Sequence, residues 1–308
     1  MATWREEYPS PREISNLMSE HLVINVFNVD AALAVARAKE FFSGDDLDID
    51  VVVTPNSTDQ MRGLGQNSWQ IVSTAFDNVL GWSGREGAEI VAVAQVSQGV
   101  TLPVYVRPEI KTWENLRGRA LAVDAVDTAY ALVLRRVLRA HGLELDRGDY
   151  TLLARGTTGF RLESMSRGET FAGILNSPRD DKAAAAGMVR FADHREVLPD
   201  YPGGVFAVAR GWAAENRRIV IGFLRGWKSA LGWLQREENR AEALDLIATE
   251  EKLDLRGAER KLTQSPSDGQ LNLAGLQSVL DLRVQFGLIP TMGKELKSYV
   301  DASFYQGA

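Results

Sequence analysis

LVINVF, NVD and AALAVARAKEFF, residues 22–27, 28–30 and 31–42, are the stretch on which the reading of the fold turns. Leu22–Phe27 is a short apolar run and reads as a strand. Asn28–Asp30 is a polar turn that ends in a residue able to cap a helix. Ala31–Phe42 has the helical pattern, and Gly44 is placed to stop it. A second apolar run, Asp48–Val53 (DIDVVV), follows directly. Strand, turn, helix, strand is the unit from which parallel sheets are built.

Outward from this unit the same grammar repeats. Thr54-Pro55-Asn56-Ser57 leads into a short helix in which Ser57 and Gln60 have capping-box spacing. Trp69–Thr74 reads as a third strand, passing through Ala75 into the turn Phe76-Asp77-Asn78. Glu89–Gln95 and Val104–Val106 read as the fourth and fifth. A second run opens with the strand Ala120–Val123, the turn Asp124 to Thr128, and a helix to His141 with Gly142 as its stop. On that helix Ala131, Leu134 and Leu138 share one face, and Arg135, Arg136 and Arg139 lie off it. Tyr150–Leu153 precedes the turn Gly156-Thr157-Thr158, and Phe171–Leu175 precedes Asn176-Ser177-Pro178. Pro178 suits a first helical position, with Arg179, Asp180 and Asp181 in the first turn. From Trp212 onward the pattern is helical, with cap candidates Asn239 and Asn272 and a stop at Gly287. Val205–Val208 (VFAV) is the single late strand. The expected fold is α/β, with two lobes of mainly parallel sheet flanked by helices and a hinge between them. Residues 1–103 plus 205–308 form lobe one and 104–204 lobe two.

Composition narrows the function. The 308 residues carry 35 Lys and Arg against 41 Asp and Glu, a net charge of −6, so nothing draws the chain to nucleic acid or anionic lipid. Cysteine is absent, which excludes disulfides, thiolate metal sites and thiol nucleophiles. No run reaches the length of a membrane span, so no membrane insertion is expected. Met1–Asn16 (MATWREEYPSPREISN) lacks the apolar segment of a secretory leader. Either a leader was trimmed ahead of Met1 or the protein stays in the cytoplasm. A monomer is expected.

In parallel α/β sheets the carboxyl ends of the strands and the unpaired N–H groups of the following helices share one edge, and ligands bind there. Six turns bring Asn, Asp, Ser or Thr to that edge: Asn28/Asp30, Asn56/Ser57, Thr74/Asp77/Asn78, Asp124/Asp127/Thr128, Thr157/Thr158 and Asn176/Ser177. Each such residue is either a helix cap or a ligand contact. Phe27, Phe76, Tyr130, Phe160 and Tyr201 sit beside these turns, and aromatic walls with a few convergent polar groups make a small-molecule pocket. Arg161, just after Gly156–Phe160, is the best-placed cation for a carboxylate or sulfonate, or else an exposed helix arginine. Asp77 caps its own helix, accepts a hydrogen bond from the ligand, or faces Arg161 across a cleft. The candidate ligand residues are therefore Phe27, Asn28, Thr74, Phe76, Asp77, Asp127, Thr128, Thr157, Arg161, Asn176 and Tyr201. Phe27, Phe76 and Tyr201 would clamp an apolar or aromatic body while lobe two holds a charged group.

Several segments carry a resemblance to a known family: ARAKEFF (36–42) before 47–53, TAFDNVL (74–80), RPEIKTWENLRGRALAVD (107–124), RLESMSRG (161–168), AGILNSP (172–178) and LPDYPG (198–203). Over residues 22–235 the chain resembles the type II periplasmic binding proteins of the nitrate, sulfonate and taurine group, which includes the thiamine-pyrimidine synthase-like proteins. The resemblance implies a hinge, a small organic ligand held between the lobes, delivery to an ABC permease and a periplasmic location. It also admits a cytoplasmic enzyme on the same fold, such as a decarboxylase or pyrimidine synthase acting on a small aromatic acid or heterocycle.

The residues give an enzyme little to work with. Histidines number three. His21 precedes the first strand, His141 ends a helix, and His194 reads as part of a surface loop. No H-x-x-x-H, nucleophile elbow or P-loop is present, and Gly63-Leu64-Gly65 lacks the rest of a dinucleotide fingerprint. Asp77, Asp124 and Asp127 could form a carboxylate cluster for acid–base work or a divalent ion. No cofactor and no resident metal is expected. Trp69, Trp113, Trp212, Trp227 and Trp233 fall in strand or helix patterns and read as core.

Overall fold

Strand β1 (Glu20–Val26) buries Leu22, Ile24, Asn25 and Val26, and helix α1 (Ala31–Ala38) lays a buried stretch, Ala31 to Ala36, against the sheet. Small side chains let that helix approach closely. It ends before the predicted Gly44, because Glu40 takes the left-handed conformation at φ +56°. The computed structural model describes residues 19–54, 56–176, 179–289 and 295–308. The readings of Met1–Asn16, Pro55, Ser177 and Pro178 lie outside the described residues.

The chain continues through β2 (Leu47–Val53), α2 (Ser57–Gly65), β3 (Ile71–Ala75), α3 (Phe76–Trp82) and β4 (Ile90–Gln95). It crosses to a second sheet with β5 (Pro103–Val106), β6 (Arg119–Val123), α4 (Ala129–Ala140), β7 (Tyr150–Ala154), α5 (Thr158–Ser166), β8 (Ala172–Ile174), α6 (Asp180–Ala185) and β9 (Val189–Asp193). It returns with β10 (Gly204–Ala209) and the helices α7 (Arg210–Glu215), α8 (Arg217–Leu234), α9 (Arg240–Glu251), α10 (Leu255–Gln264), α11 (Leu273–Gln285) and α12 (Ser303–Gln306).

Two five-stranded sheets result, ordered β2-β1-β3-β10-β4 and β7-β6-β8-β5-β9. The first pairs β1 in parallel with β2 and β3, and the second pairs β6 in parallel with β7 and β8. The antiparallel partners are β10 in the first and β5 in the second. This follows from the crossings. A strand that arrives from the other lobe enters its new sheet at the edge where the neighbouring strands end, so it runs against them.

Strand β9 departs from the sequence reading, which has no strand before Val205 at that point. It is an edge strand with only Ala192 buried, and Arg190 and Asp193 erase its apolar signature. The predicted capping box at Ser57 is also displaced by one residue. Asn56 is the cap, accepting from the Asp59 amide at 2.8 Å. Gln60 turns inward, donating to Asn25 Oδ1 and the carbonyls of Asn25 and Ser73. Arg135, expected off the buried face, is 9% exposed, with its guanidinium 4.0 Å from the centre of the Phe286 ring.

One apolar cluster under the first sheet is closed by Phe206, Phe223 and Trp227, whose rings meet edge to face at 5.0 and 5.2 Å. The larger cluster runs from Val72, Phe76 and Val79 in lobe one, through Leu198, Tyr201, Leu276, Val279 and Leu282, to Leu121, Val133 and Leu138 in lobe two.

Candidate functional site

The carboxyl ends of β1, β3, β6, β7 and β8 and the starts of β5 and β10 lie at the edges from which the two crossovers, 96–102 and 194–203, leave one sheet for the other. Gly203 has no room for a side chain: a Cβ there would lie 2.1 Å from Ser97 Oγ, so the crossovers touch backbone to side chain. Ser97 Oγ accepts the Gly204 amide at 2.9 Å. His194 joins the other end, its Nδ1 accepting the Leu102 amide at 3.2 Å. His194 is 1% exposed, which corrects the surface-loop reading, and its ring meets Tyr201 edge to face at 5.8 Å. Burial holds its imidazole below the ordinary range, against the pull of Asp193.

On the lobe-one side the polar turn residues are occupied. Asp30 caps α1 through the Leu33 amide at 3.0 Å and accepts Trp227 Nε1 at 2.9 Å. Burial pushes its carboxyl up. Thr74 is buried and its hydroxyl accepts from Asn78 Nδ2 at 2.9 Å. Phe76 is 1% exposed inside the shared apolar cluster. Phe27 is half-buried and Asn28 exposed at the end of β1. Asp77 does not meet Arg161. Its Oδ1 accepts from Arg283 Nη1 at 2.7 Å, with both side chains almost fully buried. Burial raises the Asp77 carboxyl despite this guanidinium, and the charges of Asp124 and Asp127 push the same way. Tyr201, 8% exposed, sits within the same field, and burial lifts its phenol well above the usual range.

The lobe-two side is built differently. Thr128 precedes α4 without capping it; its hydroxyl donates to Asp124 Oδ1 at 2.5 Å and to the Ala125 carbonyl at 3.1 Å. Asp127 is exposed, and its carbonyl accepts from Arg283 Nη1 at 3.3 Å. Arg161 is buried at 1% rather than exposed. Its Nε donates to the Ile174 carbonyl at 3.1 Å, Nη1 to the Gly156 carbonyl at 2.6 Å and Nη2 to Thr158 Oγ1 at 2.8 Å, and its guanidinium lies 5.1 Å from the centre of the Tyr130 ring. Burial lowers its pKa, with Asp124 opposing. The Thr158 hydroxyl donates in turn to Asn176 Oδ1 at 2.7 Å. Thus β7, α5 and β8 are tied together at their cleft ends by one guanidinium.

That bracing leaves the start of α5 open. Thr157 is the N-cap but its hydroxyl makes no cap bond, and the amides of Thr158, Gly159 and Phe160 have no acceptor among the described residues. Arg179 stands beside them: a Cβ built on Gly159 would lie 3.8 Å from Arg179 Cζ and 3.7 Å from Thr157 Oγ1. Arg179 is exposed and forms no ion pair among the described residues. Phe160 is 60% exposed on the same turn. The sequence reading takes Arg179 as a first-turn residue. Its signal is the spacing that returns it, after β8, to the turn that holds Thr157. Arg283 carries no local signal at all, since it reaches Asp77 from 206 residues away. Among the described residues, no group of three or more His, Asp and Glu is set to hold a metal ion, and Asp77, Asp124 and Asp127 are no exception.

Solved structures share the fold. The periplasmic nitrate-binding protein NrtA from Synechocystis PCC 6803 superposes with a TM-score of 0.76 at 11% identity, covering 94% of this chain and 88% of that one. The periplasmic aliphatic sulphonate-binding protein SsuA from Escherichia coli gives 0.70 at 20% identity, covering 92% of each chain. The alkanesulfonate-binding protein SsuA from Xanthomonas axonopodis pv. citri, bound to MOPS, gives 0.67 at 19% identity, covering 88% and 94%. No curated protein sequence matches. Two mixed sheets joined by two crossovers make this a two-lobed α/β protein of the periplasmic binding protein type. The sequence signature described as NMT1/THI5 like matches residues 28–241, well over half of the chain, and the chain belongs to the NMT1/THI5-like family.

Proposed function

We propose that this chain is a solute-binding protein that captures a small organic anion between its lobes and delivers it to an ABC permease, with the periplasm as its place of work. The observation that carries the reading is the open start of α5, where three amides without an acceptor among the described residues and the Thr157 hydroxyl lie on the same turn as Arg179, which forms no ion pair among those residues. Backbone donors at a helix start with a guanidinium beside them suit a carboxylate or sulfonate. In this reading Arg161 acts as a brace, and Asn176, fixed by Thr158, offers its amide to the same anion. Phe27, Phe160 and Tyr201 wall the ligand's apolar body, and Asn28, Asp127 and Thr128 line the rim. Thr74, Phe76 and Asp77 support the wall from behind. Family membership and the fold of the nitrate- and sulfonate-binding neighbours support the role in capture and the permease as partner.

Native mass spectrometry of gently purified protein tests for a carried ligand, and calorimetric titration with benzoate, benzenesulfonate, nitrate and neutral benzamide tests the class. Organic anions should bind and benzamide should not. Arg179→Ala should weaken anion binding about tenfold to a hundredfold, the range for hydrogen bonds to a charged group. Equal binding of benzamide and benzoate would overturn the anionic assignment.

A further inference from the structure

Helix α11 belongs to the last part of the chain, yet it packs on α3 of lobe one and on α4 of lobe two. Its start presses on the second crossover, where a Cβ at Gly275 would lie 2.4 Å from the Asp200 carbonyl. Leu276, Val279, Leu280 and Leu282 enter the apolar cluster that spans both lobes. Phe286, just beyond its end, stacks under the Arg135 guanidinium of α4. A hinge between two lobes moves freely only where little apolar surface is shared across it, so this helix opposes opening.

Arg283 adds a directed contact. It is 3% exposed, and its Nη1 donates to the Asp77 carboxylate of lobe one at 2.7 Å and to the Asp127 carbonyl of lobe two at 3.3 Å. Gly81 makes the room, since a Cβ there would lie 3.0 Å from Arg283 Nη2. Arg283 Nε is buried without a partner among the described residues. A guanidinium that accepts an unsatisfied Nε in order to reach both lobes is placed for bridging rather than for the tightest ion pair. We propose that α11 is an interlobe clasp, with Arg283 the residue that couples closure of the cleft to lobe two. The proposal rests on the two-lobed fold and not on the identity of the ligand.

The absence of cysteine makes the test direct. Thr58→Cys on α2 and Ser166→Cys on α5, both exposed, carry one spin label each, and double electron–electron resonance reads the distance between the lobes in protein dialysed free of small molecules. Otherwise unaltered protein should give one short distance. Asp77→Asn combined with Arg283→Met leaves no orphaned charge and no bridge, and should shift the closed-to-open ratio about tenfold or more toward a longer distance. Asp77→Asn alone should keep the short distance, because Arg283 still reaches the Asp127 carbonyl. Arg283→Gln, whose shorter side chain can meet Asp77 but not both partners, provides a second opening variant should the double variant fail to fold. A folded double variant or Arg283→Gln with the unaltered distance distribution would overturn the clasp, as would opening by Asp77→Asn alone.

Discussion

The helix starts at the two faces of the cleft are prepared in opposite ways. In lobe one, Asp30 and Asn56 cap their own helices through the amides of Leu33 and Asp59, and Asp77 lies in the first turn of α3 bound to Arg283. Those two helix starts are already capped, and Asp77 is spent on Arg283 rather than offered to a ligand. In lobe two, Thr128 and Thr157 stand at the cap positions without capping, a buried arginine holds the surrounding strands in place, and the first α5 amides have no acceptor among the described residues. In the proposed reading recognition and closure are divided: lobe two presents the donors and the Phe160 part of the wall, and lobe one with α11 supplies the rest of the wall and the clasp.

The largest test of this contrast sets one lobe-two arginine against another. Arg161→Met removes three hydrogen bonds from a buried cation and strands the Ile174 and Gly156 carbonyls, so it should lower stability by about 3 kcal/mol in urea titrations. Arg179→Met, on the exposed rim, should stay within about 0.5 kcal/mol of the parent while losing anion affinity. If the two exchange these outcomes, Arg161 is the ligand cation and the brace is wrong.

His194 tests the joint between the faces. Its Nδ1 must be unprotonated to accept the Leu102 amide, and the charged groups around it are Asp193, with Oδ1 at 3.0 Å, and Arg195, with the Tyr201 ring on its edge. Its pKa is lowered in the folded state. Between the ordinary value near 6.5 and that lower one, the unfolded chain therefore takes up a proton that the folded chain does not. Stability should fall as pH drops through this window, with a limiting slope of about 1.4 kcal/mol per pH unit from this one group. His194→Gln, whose amide oxygen can accept the Leu102 amide, should remove that slope. Parallel pH profiles of the urea midpoint for parent and variant would show that His194 does not report on the crossover.

Capping gives a smaller and more local comparison. Asn56→Ala should lower stability by about 1 kcal/mol, as for a lost cap, and leave anion affinity alone. Thr157→Val has no cap bond to lose, so the thermal midpoint should hold while anion affinity falls. A destabilised Thr157→Val would mean that the α5 start is capped in solution and closed to ligands.

These pairs also show how far the sequence could be read. The strand–turn–helix units, the return strand at Val205 and the Asn272 cap follow from local patterns, and the structure has them. The six turns were legible as a set, but which of their residues cap and which stay free depends on neighbours brought in by the fold. Asp30 and Asn56 are used up locally; Thr157 makes no cap bond, while Arg161 and Asn176 engage its neighbour Thr158. Arg283 lies beyond reach for a different reason: DLRVQF reads only as the end of a helix that stops at Gly287, and the seating of that helix on α3 and α4 buries its arginine.

Phe160 provides the smallest effect and the most selective one. Its ring is 60% exposed on the first turn of α5, close enough to Gly156 that a Cβ there would lie 3.8 Å from Phe160 Cδ2. A ring that exposed adds little to the core, so Phe160→Ala should change stability by less than about 0.5 kcal/mol. Its value lies in the area that a ligand's apolar body can cover, at roughly 25 cal/mol for each Å² removed from water. Nitrate has no such body, so its affinity should survive the substitution if it binds at all. Benzenesulfonate should lose affinity several-fold, since partial cover of one ring corresponds to about 1 kcal/mol. The measured quantity is the ratio of the two losses in parallel titrations. A selective loss for benzenesulfonate assigns the ring to the ligand wall; equal losses for both anions would mean that Phe160 acts through the shape of the α5 start, and the organic part of the proposed ligand would then have no wall on lobe two.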